Sequence, residues 1–209
     1  NAMGSFNTRK HTVKFSTGKL NEHIEIAGRF SNIASDGYVD RASANLKSYY
    51  LQASYTDTNT LIKGVTFGGK ERTYQAWHGL TADELAIDRR QNPYTYENEV
   101  DDYQQNHYQL HWNEKINENW SSTLGLNYTK GAGFFEQFKE EETATDFNNL
   151  ILEGSDVIVR RWLENDFYVF NFNTQYRSAS LNLISGISYS NYTGDHFGEV
   201  IWGEKFAPN

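Results

Sequence analysis

The sequence predicts an all-β protein, a long antiparallel β-meander of about eight strands. Three observations carry that prediction. Polar and apolar residues alternate with period two over arms of about 10 residues or more, where ordinary strands have a mode of roughly 5 to 6. The 209 residues include 14 Tyr, 13 Phe and 16 Gly but only 2 Pro, a composition that favours strands over helices. The connections also alternate between short and long along the chain.

The alternation is plainest over residues 163–192. Tyr168, Phe170, Phe172 and Tyr176 fall on one face of a first arm, with Asn171, Asn173 and Gln175 on the other. After a turn at Arg177 and Ser178, a second arm sets Leu181, Leu183, Ile187 and Tyr189 against Ser180, Asn182, Ser188 and Ser190. Earlier segments repeat the scheme. Residues 8–16 place His11, Val13 and Phe15 against Thr12, Lys14 and Ser16, and Thr17-Gly18 predicts the turn into a second strand over 22–31. Residues 31–43, with turn signals at Asp36-Gly37, read as a loop.

A third strand over 44–56 aligns Tyr49, Leu51, Ala53 and Tyr55, and Asp57-Thr58-Asn59 turns it into a fourth over 61–72. Residues 71–101 are irregular and acidic. Within them Thr81 and Glu84 have the spacing of a helix capping box, and Pro93 stops any continuation. A fifth strand over 102–115 sets Tyr108, Leu110 and Trp112 against Gln105, His107, Gln109 and His111. A sixth over 119–130 aligns Trp120, Leu124, Leu126 and Tyr128. Residues 131–161 form a third long connection, of which 156–161 can prolong the sheet, and a further loop begins after Tyr192.

Composition excludes several function classes. There are no cysteines, which removes disulfide scaffolds and thiolate chemistry. The net charge of -8 offers no basic stripe to track phosphates, so nucleic acid is not an expected partner. No apolar run approaches the length of a transmembrane helix, which leaves a membrane β-barrel open. Short turns at one sheet end and long loops at the other match the layout of an outer-membrane barrel, with Tyr and Trp near both rims.

Four stretches add a resemblance. GRFSNIASDGYVDRASANLKSYYLQASY (residues 28–55), KERTYQAWHG (70–79), NPYTYENEVDDYQQNHYQLHWNE (92–114) and LNYTKGAGFFEQFKE (126–140) resemble the barrel of a TonB-dependent outer-membrane receptor. The resemblance is to iron-complex or siderophore receptors of Bacteroides-type bacteria. Residues 1–5, NAMGS, read as an expression scar in their own right, and the resemblance implies that residues 6–209 are the middle portion of a 22-stranded transmembrane β-barrel without its plug domain. The implied function is TonB-driven uptake of a nutrient such as a ferric siderophore across the outer membrane of a Gram-negative bacterium. The implied partners are the TonB complex, the nutrient complex and outer-membrane lipid. Glu25, Arg29, Gln105, His107 and Asn171 would face the plug, and the isolated piece is expected either to fold back on itself as a sheet or small barrel or to self-associate through its bare face and edges. The second reading is a soluble secreted β-sheet binding module for a glycan or protein ligand, recognisable by a two-layer core of its own.

Few residues point to chemistry. His107 and His111 lie four apart, roughly 13 Å along a strand, too far to share one zinc ion. Glu140, Glu141, Glu142 and Asp146 lack the spacing of a calcium loop and fit a solvated acidic segment. Trp77, His78, Phe134 and Phe135 are the candidate ligand contacts, each also suited to anchoring a loop. No catalytic, cofactor-binding or metal-ligating residue is assigned, and enzymatic activity is not expected.

Overall fold

The structure, a computed structural model, describes residues 1–208. Nine strands form one sheet in strict chain order: β1 (Ala2–Met3), β2 (Arg9–Leu20), β3 (Ile24–Ser35), β4 (Ala44–Thr56), β5 (Thr60–Tyr74), β6 (Val100–Lys115), β7 (Trp120–Glu142), β8 (Ser155–Arg177) and β9 (Asn182–Gly203). Every neighbouring pair is antiparallel. One helix, α1 (Ala82–Ile87), and a single 3-10 turn (Ala144–Phe147) interrupt the long connections.

The tight turns are built by short polar side chains. Asn21 and Glu22 both take positive φ, 48° and 66°, the left-handed pair of a tight turn that the His23 amide closes by donating to the Leu20 carbonyl at 3.1 Å, within a three-residue connection. At the next turn Asp57 Oδ1 accepts the amide N–H groups of Asn59 and Thr60, each at 2.8 Å. Asn117 Oδ1 does the same for Asn119 and Trp120 at 2.9 and 3.0 Å. Ser178 Oγ accepts from the amide of Leu181 at 3.2 Å. Each side chain supplies an acceptor where the ladder ends, so the reversal leaves fewer amides unpaired.

These turns lie at one end of the sheet, and residues 36–43, 75–99 and 143–154 connect strands at the other. The end-to-end asymmetry expected from sequence is therefore present, but the first hairpin and the last three strands differ in extent. The turn expected at Thr17-Gly18 is a bulge: Gly18 adopts φ of 62°, the register shifts between Ser16 and Lys19, and the strand runs on to Leu20. β7 continues to Glu142 and β8 starts at Ser155, so the expected loop over 131–161 shrinks to residues 143–154. β9 likewise passes through Tyr192 to Gly203.

Register fixes the faces. One row reads Ile24, Tyr55, Ile62, Trp112, Leu124, Phe172 and Ile187 across β3–β9. The next reads Ile26, Ala53, Gly64, Leu110, Leu126, Phe170 and Tyr189. The opposite face carries rows such as Glu25, Ser54, Lys63, His111, Gly125, Asn171 and Ser188. The apolar face is largely uncovered: Val13 is 65% exposed and Ile187 63%. A small core of Ile151, Val157 and Val159, backed by Phe147 and Val200, lies where the 143–154 connection folds against β8 and β9. No second sheet covers either face among the described residues, so the two-layer core anticipated for a binding module is not how this chain is built.

The transmembrane barrel is corrected by the same topology. The order runs from β1 to β9 without the end strands pairing, so the sheet is open and bounded by two edges. In hydrocarbon every backbone N–H and C=O must be paired, which restricts spanning sheets to closed barrels. An open nine-stranded sheet does not meet that condition, and the 22-stranded barrel, its membrane-spanning strands, its plug-filled interior and the outer-membrane location are withdrawn with it. No helix among the described residues is long and apolar enough to cross a membrane.

Two glycines test the close fit of neighbouring strands. A Cβ at Gly133 would press on the carbonyl oxygen of Asp102 and on Tyr103 Cα, both backbone, whereas one at Gly64 meets no heavy atom within 4 Å. Gly133→Val is expected to lower stability by about 1–3 kcal/mol in urea denaturation. Gly64→Ala is expected to leave it unchanged or to raise it by up to about 1 kcal/mol.

Candidate functional site

The apolar face contains a trough centred on the middle strands. Its floor is made of small side chains, Ala53 on β4 with Gly64 and Thr66 on β5, and its walls include Leu51, Leu110, Tyr108, Tyr168 and Phe170. The depression is about 770 Å³, within the range of pockets that take a small ligand or an anchoring side chain. It exists because the Gly64 row has small residues on both β4 and β5, Ala53 and Gly64, and because Thr66 stands between Leu51 and Tyr108 on the next row.

Beside it stands a ladder of three tyrosines. Tyr108, Tyr128 and Tyr168 are directly opposite one another on β6, β7 and β8. Strand spacing of about 4.8 Å favours near-parallel stacking of opposed rings. The centroids are 5.9 and 4.7 Å apart, with interplanar angles of 17° and 20°. The Tyr128 hydroxyl donates to the Asp166 carboxylate, which also faces Lys130 Nζ at 3.6 Å. That hydrogen bond to a carboxylate pushes the Tyr128 pKa well above the phenol range, so the hydroxyl stays a donor and holds the ring in place. The flanking tyrosines remain available, Tyr168 being 48% exposed.

At the long-loop end a buried polar knot anchors residues 75–99 to the sheet. Gln75 Nε2 donates to the carbonyls of Val100 and Glu136 at 3.0 and 3.2 Å, and Gln137 Nε2 donates to Gln75 Oε1 at 3.2 Å. Asn92 Nδ2 bridges the carbonyls of Asp40 and Gln75, both at 3.0 Å, stitching two long connections together. Glu136, 2% exposed, accepts from the Tyr96 hydroxyl at 2.6 Å and pairs with Arg160 Nε at 2.8 Å. Burial and the bond to Glu136 push the Tyr96 pKa up to about 12.

Glu99 is less well served. It is also 2% exposed; one oxygen accepts the Phe138 amide at 3.1 Å and the other has no protein partner. Desolvation, with a smaller push from the Glu136 charge, raises its pKa against the opposing Phe138 bond. The helix start expected at Thr81 does form, capping α1 (Ala82–Ile87). Thr81 Oγ1 accepts from the Glu84 amide at 3.3 Å, and Glu84 accepts from the Thr81 amide at 2.7 Å, the capping box proposed from spacing.

Of the four residues proposed as ligand contacts, the structure brings Trp77 and Phe135 together and places His78 and Phe134 with other partners. Trp77, 58% exposed, meets Phe135 edge-on at 6.0 Å, and Arg161 lies over the Phe135 ring at 5.8 Å. His78 meets Tyr94 edge-on at 6.4 Å. Phe134 packs on the other side of β7, 4.6 Å from Trp162 and 4.5 Å beneath Arg160. Adjacent strand residues point to opposite faces, so Phe134 and Phe135 do not line one surface.

His107 and His111 find different partners on the polar face. His107 stacks on Phe67 at 4.4 Å and bonds Thr129 Oγ1 at 2.9 Å, and burial lowers its pKa. His111 contacts Gln109 at 3.4 Å. Glu142 pairs with Lys139 at 2.9 Å and Asp146 accepts from Thr143 at 2.7 Å. No three metal-ligating side chains converge among the described residues.

Sequence reasoning did not single out the tyrosine ladder as a site. A usable signal was present: Tyr108 and Tyr128 are equidistant from residue 118 in the intervening turn, which places them opposite in a regular hairpin.

The knot yields two predictions. Removing Arg160 leaves a buried carboxylate unpaired, so Arg160→Leu is expected to cost about 3–5 kcal/mol in urea denaturation. Glu99, with its pKa raised in the fold, favours the protonated state there. Its contribution to stability is full below the unfolded glutamate value and is lost as pH rises through the raised folded value. The urea midpoint of Glu99→Gln should therefore fall less over that window than that of the parent protein.

No protein-family model matches the chain, and no curated protein is similar to it. The open sheet overturns the TonB-dependent receptor and siderophore-uptake reading. The TonB complex, a nutrient complex and outer-membrane lipid fall with it as partners.

Proposed function

We propose that this chain is a β-sheet binding module that takes a protein ligand on its apolar face, centred on the trough and the tyrosine ladder. The observation that carries the reading is the juxtaposition of the small-residue floor at Ala53 and Gly64 with the stacked Tyr108, Tyr128 and Tyr168. The floor accepts an anchoring side chain, and the aromatic wall supplies large, rigid contact area.

A protein ligand fits better than a glycan. Across the row Ile24, Tyr55, Ile62, Trp112, Leu124, Phe172 and Ile187 the polar side-chain atoms are limited to the Tyr55 hydroxyl and the Trp112 indole N–H, few for a ligand covered in hydroxyls. Each apolar side chain of the row removed from water contributes roughly 1.5–3 kcal/mol when fully buried. A contiguous apolar patch of this kind marks an interaction surface. Binding without a chemical step is the proposed role; Phe134, on the face of the tyrosine ladder, is proposed as a subsidiary contact, and Trp77, His78 and Phe135 as contacts only for a ligand that reaches around the long-loop end.

Fluorescence titration with the apolar dye bis-ANS reads the trough directly. The parent protein should enhance dye emission, and Gly64→Trp, which fills the floor, or Leu110→Lys, which charges the wall, should lower the enhancement roughly threefold or more with the urea midpoint little changed. Absence of enhancement in the parent, or equal enhancement in both variants, would contradict the proposal.

A further inference from the structure

The two edges of the sheet are chemically unlike. β2, with the short β1 paired only at Arg9 and Lys10, carries Arg9, Lys10, Lys14 and Lys19 and a bulge between Ser16 and Lys19. Lysines and bulges of this kind keep an edge from pairing with another chain. β9 has none of these basic residues. It runs for 22 residues, contains no Lys, Arg or Pro, and is exposed at every position except Val200 and Gly203, which are half-buried. Its register against β8 shifts only between Ile158 and Val159, near the far end.

The long-loop end of β9 also holds unbalanced charge. Asp195 lies directly opposite Glu164, and like charges in that position repel. Glu199, on the same face, lies opposite Arg160, whose Nε is taken up by Glu136, and accepts from Trp162 Nε1 at 3.1 Å. None of the three carboxylates is in an ion pair among the described residues. Further along that face stand Tyr189, Ile187 and Leu183.

We propose that the outer edge of β9 receives a strand from another protein, an extended segment basic at its leading end and alternately apolar behind, added antiparallel. An antiparallel strand meets the C-terminal half of β9 with its own first residues. Basic side chains there face Asp195 and Glu199, and its later apolar residues extend the surface formed by Tyr189, Ile187 and Leu183. Backbone hydrogen bonds supply affinity, and the order of charge and apolarity along the strand sets its direction. The apolar half of this edge adjoins the trough, which Tyr189 also lines, whereas the backbone edge and the carboxylates at Asp195 and Glu199 lie outside it.

The test uses fluorescence anisotropy with a labelled peptide of about 12 residues, alternating Arg and Lys with Thr in its first half and Val with Thr in its second. A peptide with the two halves exchanged is the control. The parent protein should bind the first peptide with affinity roughly tenfold or more above the control, and Asp195→Lys combined with Glu199→Lys should remove that preference. Gly64→Trp should leave it intact, which separates this proposal from the face reading. No binding, equal binding of the two peptides, an unchanged preference in the double variant, or a parent protein whose β9 edge is already filled by a second copy in sedimentation would overturn it.

Discussion

The backbone ladder between neighbouring strands is the constraint on which the rest of this structure depends. Each strand from β2 to β9 pairs with the next in chain order, and residues directly opposite one another share a face. Because the side-chain period is two, a slip by one residue in any hairpin would send Ile26, Leu110 or Phe170 to the polar side. The short turns at Asp57 and Asn117 hold that register with side-chain oxygens on backbone amides. Few side chains are buried, so the ladder and cross-strand contacts, rather than a thick core, define the fold.

The two ends of the sheet are organised by opposite physics. Toward the short turns, the apolar rows and the tyrosine ladder lie open, with stacking and strand spacing fixing ring positions. Toward the long loops, carboxylates and amides are buried and held by specific hydrogen bonds around Gln75, Glu136 and Arg160. The knot ties the 75–99 connection to the sheet and leaves a single oxygen of Glu99 without a partner. A polar network so nearly satisfied gives that end a defined conformation, whereas the apolar end is defined by what it presents.

Much of the fold was legible because alternation is a local property. The β4 segment from Ala44 to Thr56 and the Thr81–Glu84 cap follow directly from residue order. The limits of β7, β8 and β9 were not legible, since Gly131, Gly133 and Gly194 suggest loops while their backbones remain in the ladder. Thr17-Gly18 misled for a related reason: a left-handed glycine serves a bulge as well as a turn. Closure of the sheet was beyond the sequence, because alternation has the same form in an open sheet and in a barrel wall. The trough was hidden too, since its floor combines Ala53 and Gly64 from two strands and its wall needs Tyr108, Tyr128 and Tyr168 from three more.

The central claim, an open sheet whose end strands are far apart, is open to one direct distance measurement. The chain has no cysteine of its own, so spin labels at Lys14→Cys on β2 and Ser190→Cys on β9 report without interference. Seven strand spacings of about 4.8 Å separate β2 from β9. Double electron–electron resonance should therefore give a distribution centred roughly at 25–35 Å. A distribution below about 15 Å, the separation of strands that are neighbours or nearly so, would show the sheet closing on itself and contradict the account.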